Sequence, residues 1–219
     1  MQKILIISIL AIHLTCTHVS AQKTISKVDR LLILPPLSEI KVIKTSNKLE
    51  TDTSLTNKVR TEILYQAKTL IPDSIKTVQF EASDLQSQEI YKAFERILET
   101  AENKFKPKSV KIPDFLLNLL DSTNQDFGLG IVNVGFLRTD KNQSGEYTKS
   151  VRLNFFTLGL YSFIPRKSFS TIICFIMDRK QKTLRFYEKS SWSERNPTET
   201  VVIKSQLHHL LMSYFLGKQ

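Results

Sequence analysis

The apolar residues of this chain change their spacing along its length, and that alternation limits the fold more than any other feature. Leu31-Leu32-Ile33-Leu34 is a continuous apolar run stopped by Pro35-Pro36. It reads as a buried strand, Val28 to Leu34, whose exit is closed by residues that cannot donate to a ladder. Ile40 and Val42 alternate with Lys41 and predict a second short strand, while Asn47 to Ser54 is polar and turn-like. The period then lengthens. Leu55, Val59, Ile63, Ala67 and Leu70 recur every three or four residues. They predict a helix from about Thr53 to Leu70, capped by Asp52 or Thr53 and ended by Pro72. A short strand over Ile75 to Phe80 comes before a second helix. Ser83-Asp84-Leu85-Gln86 has the spacing of a capping box, in which each end residue satisfies the other's backbone N–H. Ile90, Phe94, Ile97, Leu98, Ala101 and Phe105 line one face of that helix. Ile112-Pro113-Asp114 opens a third, with proline at the first position, where its missing N–H costs nothing.

The second half reads mostly as strand. Phe127 to Leu137 is rich in Val, Ile, Phe and Gly; Asp140 to Glu146 is a turn-rich loop; Val151 to Ile164 is largely apolar and stops at Pro165. Ser170 to Met177 and Leu184 to Lys189, separated by Asp178 to Thr183, predict a β-hairpin with a longer loop. Asn196-Pro197-Thr198-Glu199 supplies a cap, a first-turn proline and an early acid for a last helix. Its stripe is Ile203, Leu207, Leu210, Leu211 and Tyr214. The expected fold class is α/β (α+β): a mixed β-sheet covered by helices, with a closing C-terminal helix. No repeat or linker interrupts it, so residues 22–219 are expected to form a single domain.

Residues 1–21 read as a signal peptide. Lys3 is followed by the apolar run Ile4 to Leu14, and Val19-Ser20-Ala21 places small or modest side chains before a cut at Gln22. Eleven residues with a histidine among them are too few for an anchor, which needs about 20 apolar residues. Cys16 raises lipidation instead, but His13 and Thr15 fit a lipoprotein signal poorly. The expected location is the periplasm or cell envelope. After cleavage only Cys174 remains, so no intrachain disulfide can form and packing must supply the stability.

No motif for chemistry survives close reading. Gly128, Gly130 and Gly135 lie inside a strand-like run with no helix after it, which suits a tightly packed neighbour and not a dinucleotide turn. His208 and His209 diverge on a helix and have no ligand partner at the right spacing. Cys174 sits in an apolar strand and reads as a small hydrophobe. No G-x-S-x-G is present, and no pair of carboxylates stands out. Catalytic residues, metal and cofactor are all expected to be none.

Charge is the remaining signal. The chain carries +10, and from Arg138 to Arg195 there are 12 basic and 5 acidic residues. In an exported protein such a surface meets lipid headgroups and acidic glycans, not nucleic acid. Within it, the apolar segment Leu153 to Ile164 is bracketed by Arg152 on one side and Arg166-Lys167 on the other, and these three are the candidate binding residues. The segment itself reads first as a core strand or helix, and second as a membrane-contacting or partner-docking loop.

The order of elements resembles small envelope proteins with the α/β fold of the TolB amino-terminal domain, a group that includes the curli-secretion lipoprotein and activators of peptidoglycan synthases. Leu31 to Pro36 resembles the family's first strand and proline exit. Ile172 to Asp178, Leu184 to Trp192 and the last helix resemble its strand–Asp–turn–strand–Trp–helix ending, with Asp178-Arg179-Lys180-Gln181 in place of Asp-x-x-Gly. The style of the loops is similar to exported proteins of Bacteroidetes. The resemblance implies a mixed α/β envelope domain. The function expected is a non-enzymatic binding or assembly module that contacts an envelope protein, an anionic envelope polymer or a lipid surface, with no transmembrane segment after cleavage. The alternatives are a glycan- or lipid-acting hydrolase with unlocated carboxylates and a periplasmic small-ligand binder. Oligomeric state stays open.

Overall fold

The computed structural model describes residues 28–44, 47–103, 106–157 and 165–215. The proposed leader, Cys16 and Phe105 lie outside them. Seven strands and five α-helices follow in the order β1 (Arg30–Ile33), β2 (Leu37–Ile43), β3 (Leu49–Thr51), α1 (Thr53–Leu70), β4 (Lys76–Gln79), α2 (Asp84–Glu102), α3 (Asp114–Ser122), β5 (Phe127–Arg138), α4 (Asp140–Phe156), β6 (Ser168–Asp178), β7 (Thr183–Ser193) and α5 (Thr200–Phe215). The mixed sheet covered by helices is therefore present, as is the C-terminal helix.

Strand β5 organises the sheet. One edge pairs antiparallel with β6 along almost its full length, and β6 pairs with β7. The other edge is shared end to end by β1 and β2, both parallel to β5. β4 lies parallel outside β1, and β3 lies antiparallel outside β2. Ile33 stands opposite Leu129 and Leu37 opposite Val132, so three residues on this side span a gap that two fill on β5. That is a one-residue bulge, and Pro35-Pro36 form it. The prolines close β1 as expected, removing two donors, and the chain resumes pairing with β5 at Leu37 as β2. An inserted residue also reverses which side chains face which side. Before the bulge Leu31 and Ile33 point into one core and Leu32 and Leu34 into the other; after it Ile40 joins the first and Leu37 packs against the second.

The first core lies between the sheet and helices α1 and α5, where Val59, Ile63, Leu207, Leu210 and Leu211 meet Leu129, Ile131, Ile172 and Cys174. The second lies under α2 and α3 and centres on Phe94, whose ring meets Phe175 edge-on at 4.9 Å. Burying one such side chain contributes about 1.5–3 kcal/mol. The capping box of α2 is formed, with Ser83 Oγ accepting from Gln86 N and the Gln86 side chain accepting from Ser83 N. Asp52 caps α1 by accepting from Leu55 N at 2.9 Å. The glycines of β5 sit where neighbours press close: a Cβ on Gly130 would stand 2.2 Å from the Phe175 ring.

Four expectations are corrected. Part of the polar stretch after Asn47 is strand β3, held by pairing with β2. Pro113 stands just outside α3 and not at its first position. Asn196 does not cap the last helix. Its Oδ1 accepts from Thr198 N and Thr198 Oγ1, making a local turn, because Pro197 is fixed against Gly135 on the sheet; the helix starts only at Thr200. The largest change is between Asp140 and Phe156, where a turn-rich loop followed by an apolar strand or helix was expected and one helix is found.

Candidate functional site: helix α4 and the open end of the sheet

Leu137 and Ser168 are paired across β5 and β6, yet residues 138–167, thirty in all, lie between them. The next hairpin, β6 to β7, closes over only Arg179–Lys182. Antiparallel neighbours need about two to five residues to turn, and longer excursions within a compact domain usually carry a task. Helix α4 is this excursion. Thr139 starts it, its Oγ1 accepting from Asn142 N at 3.3 Å and its carbonyl from Gln143 N at 2.9 Å.

The foot of α4 is locked by polar contacts. Arg138 N donates to Lys167 O and Arg138 Nε to Arg166 O, both at 2.8 Å. The Arg138 guanidinium also donates to Asn142 Oδ1 at 2.6 Å and Asn47 Oδ1 at 3.2 Å. Asn142, almost wholly buried, donates to Lys44 O at 2.7 Å and Asn47 Oδ1 at 2.8 Å. Asn47 holds a left-handed backbone with φ of 58°, suited to its short polar side chain, and donates to Glu146 Oε1 at 3.0 Å. Hydrogen bonds from Lys149 and then Asn47 hold the Glu146 carboxyl below its ordinary range. Beyond this foot the helix stands away from the body. From Ser144 to Leu153 no side chain is buried, and Tyr147 and Val151 are 57% and 51% exposed.

The three residues singled out from sequence do not form one cluster. Arg166 and Lys167 sit at the foot, where Lys167 Nζ lies 3.3 Å from Asp140 Oδ1 and Lys167 N donates to the Glu194 carboxylate. Arg152 is exposed on α4, twelve residues beyond Asp140, or roughly 18 Å along the axis at 1.5 Å per residue. Lys141 and Lys149 share its side of the helix. The apolar segment's first reading, as core, is corrected where it is described: Leu153 lies on the exposed helix. Leu158 to Ile164 lie outside the described residues.

Beside the foot, one sheet face runs on past the second core. Leu37, Val132 and Ile173 still pack beneath α2 and α3. In the next row Glu39, Val134, Thr171 and Ser191 are register neighbours, and in the one after Lys41, Phe136, Phe169 and Ser193. Val134 is 41% exposed. Phe136 and Phe169 belong to neither core and stack on each other at 6.1 Å.

A separate groove of about 360 Å³ opens between α2 and the start of α3. Lys92, Arg96 and Lys111 line it with Glu89 and Asp114, and Glu89 is tied to Lys92 at 2.8 Å. Cys174 is buried, and burial pushes its thiol far above the usual range. His208 and His209 are both exposed. Among the described residues no group of three His, Cys, Asp or Glu could hold a metal ion, and no helix is long and apolar enough to cross a membrane.

No family model and no curated protein matches this chain. Among solved structures, the chain is similar to the PelC dodecamer of Paraburkholderia phytofirmans, with 7% identity, a TM-score of 0.35 and 84% of each chain covered. It is similar to lipoprotein GNA1162 of Neisseria meningitidis at 11% identity and a TM-score of 0.31, over 86% of this chain and 94% of that one. The C-terminal domain of LpoB from Salmonella enterica is similar at 9% identity and 0.31, over 78% and 86%. At such scores the likeness carries no role across to this chain.

Proposed function

We propose that this chain is exported, with its leader removed before Gln22, and acts as a non-enzymatic binding module of the cell envelope whose helix α4 presents cations to an anionic envelope component. The observation that carries this reading is the thirty-residue excursion in place of a hairpin turn. It holds six basic and two acidic residues, Arg138 to Lys167. Arg138 serves the foot and Lys149 pairs with Glu146. Lys141, Arg152 and Arg166 are exposed. Near an anionic surface each such cation contributes about 1 kcal/mol.

The test is co-sedimentation of the exported protein with anionic vesicles, neutral vesicles and isolated cell wall, at low and high salt. Binding to an anionic phase that falls steeply with salt is expected, since the Debye length shrinks from about 10 Å at 0.1 M to 3 Å at 1 M. Replacing Lys141, Arg152 and Arg166 with Ala should weaken it about 100-fold, on the order of 3 kcal/mol, and replacing Lys149 and Lys167, already paired with Glu146 and Asp140, should weaken it less. Failure to bind any phase, or a triple variant that binds like the parent, would sink the proposal. N-terminal sequencing that returns Met1, or a chain beginning at an acylated Cys16, would overturn the processing step.

A second reading, small-ligand binding, is favoured by the groove between α2 and α3, whose volume lies within the roughly 300–1,000 Å³ of ligand clefts. Its cations would recognise a carboxylate or phosphate. Titration with inorganic phosphate and with acetate, in the parent and in Arg96→Ala, tests it by calorimetry; heats that do not depend on Arg96 would exclude it.

A further inference from the structure

One wall of the groove between α2 and α3 is a single stripe of α2. Glu89, Lys92, Ala93, Arg96 and Thr100 line it, and at 100° per residue they fall within an arc of about 100°. That stripe borders the core stripe of Ile90, Phe94 and Ile97, and Ala93, only 4% exposed, belongs to both. The facing wall runs from Lys111 to Phe115. It is tied to the β6–β7 turn, where Ile112 N donates to Lys182 O at 3.1 Å. Ile112 is buried in the second core and Phe115 packs against it. The groove is therefore apolar at its base and charged at its rim.

The charges of the rim nearly cancel. Lys92, Arg96 and Lys111 stand against Glu89 and Asp114, three against two. Glu89 and Lys92 neutralise each other at 2.8 Å. A hydrogen bond from Lys92 holds the Glu89 carboxyl below its ordinary range, so that pair keeps both charges. Arg96, Lys111 and Asp114 are left, with one positive charge in excess.

We infer that this groove takes a carboxylate carried on a small apolar group, such as an aryl or branched aliphatic acid. One excess positive charge matches a monoanion. A phosphate monoester, at about −1.5 to −2 near pH 7, would set surplus negative charge beside Asp114 and Glu89. Arg96 offers a planar fork that meets a carboxylate in two parallel hydrogen bonds, and the base of the groove removes the apolar part from water. This assignment rests on the small-ligand reading above and narrows it. That reading admits any carboxylate or phosphate; here the ligand needs an apolar substituent and a single charge.

Calorimetric titration of the exported protein with benzoate, acetate, phenyl phosphate and neutral benzamide tests it. Benzoate should bind about tenfold more tightly than acetate, because its ring adds buried apolar area, and more tightly than phenyl phosphate. Benzamide, which has the ring without the charge, should give no heat of binding. Lys111→Glu, at an exposed position, reverses the excess charge and should abolish benzoate binding. Arg96→Lys keeps the charge, loses the fork and should weaken it. Asp114→Asn removes one negative charge and should narrow the gap between phenyl phosphate and benzoate. Circular dichroism checks that each variant is folded. Acetyl-Ala-Phe set against benzoate separates the two sources of this chemistry, the last residue of a peptide and a free acid, by which binds more tightly. Benzoate and acetate binding alike, both lost in Arg96→Ala, would overturn the inference and leave the groove a plain anion site. Phenyl phosphate binding more tightly than benzoate would overturn it as well. If no titrant gives heats that depend on Arg96, the small-ligand reading falls and this inference falls with it.

Discussion

Gly130 has no room for even one more carbon, because a methyl group there would stand 2.2 Å from the ring of Phe175. Gly130→Ala should cost about 1–3 kcal/mol through overpacking, read as a lower denaturant midpoint with an unchanged slope. This residue was legible: glycine in a strand-like run points to a close neighbour, and the neighbour is there. The Arg179–Asp126 pair was not, since the partners are 53 residues apart in sequence, and only the fold brings Nη2 to 2.7 Å from Oδ1. A hydrogen bond from Arg179 holds the Asp126 carboxyl below its ordinary range. A carboxyl whose folded value is depressed adds stability above its unfolded value of about 3.9, and that stability fades as pH falls through the folded value. Asp126→Asn should therefore lower stability at pH 7 by on the order of 1 kcal/mol, and parent and variant should converge once pH falls below the folded value. A gap that stays constant with pH would mean that packing, not charge, separates them. Asn142 and Asn47 were missed for the same reason as Arg179: they meet 95 residues apart, and a polar residue gives no sign in sequence of a distant partner.

Helices with a one-sided apolar stripe were read correctly. α1 runs from Thr53 to Leu70 as expected, and the stripe of α5 delivers Leu207, Leu210 and Leu211 into the first core. Leu211→Ala should cost about 2–5 kcal/mol. An unfolding midpoint equal to the parent's would contradict that packing. Helix α4 was missed because it has no stripe to read. Its first two turns hold no apolar residue, the repeat from Tyr147 to Val151 is too short to mark a buried side, and its start rests on one threonine hydroxyl and a buried asparagine. Periodicity reports burial, so an element that is not buried in its own chain goes unseen. The same argument covers β3, whose three residues are strand only because β2 lies beside them.

At the scale of the molecule, the class of fold followed from alternating periods, but the pairing of strands did not. β5 accepts β1, β2 and β6 from both directions of the sequence, and no local pattern encodes which distant strand lies next to which. The rows of sheet beyond the second core were hidden for a related reason. Val134, Phe136 and Phe169 look like core residues in sequence, yet among the described residues they belong to neither core, and Val134 is 41% exposed. The bulge at Pro35-Pro36 carries a further consequence. The chain before it and the chain after it are read by the sheet in different frames, as a message is when one letter is inserted. Deleting Pro36 alone would set two residues against two, so Leu37 would still stand opposite Val132 and Ile40 would still point into the first core. What the first core cannot absorb is pairing that runs straight on with the count kept, which would put Glu39 and Lys41 in place of Ile40; the one-residue deletion should therefore still fold, with a denaturant midpoint near the parent's, whereas adding a residue in place of removing one should lower that midpoint sharply.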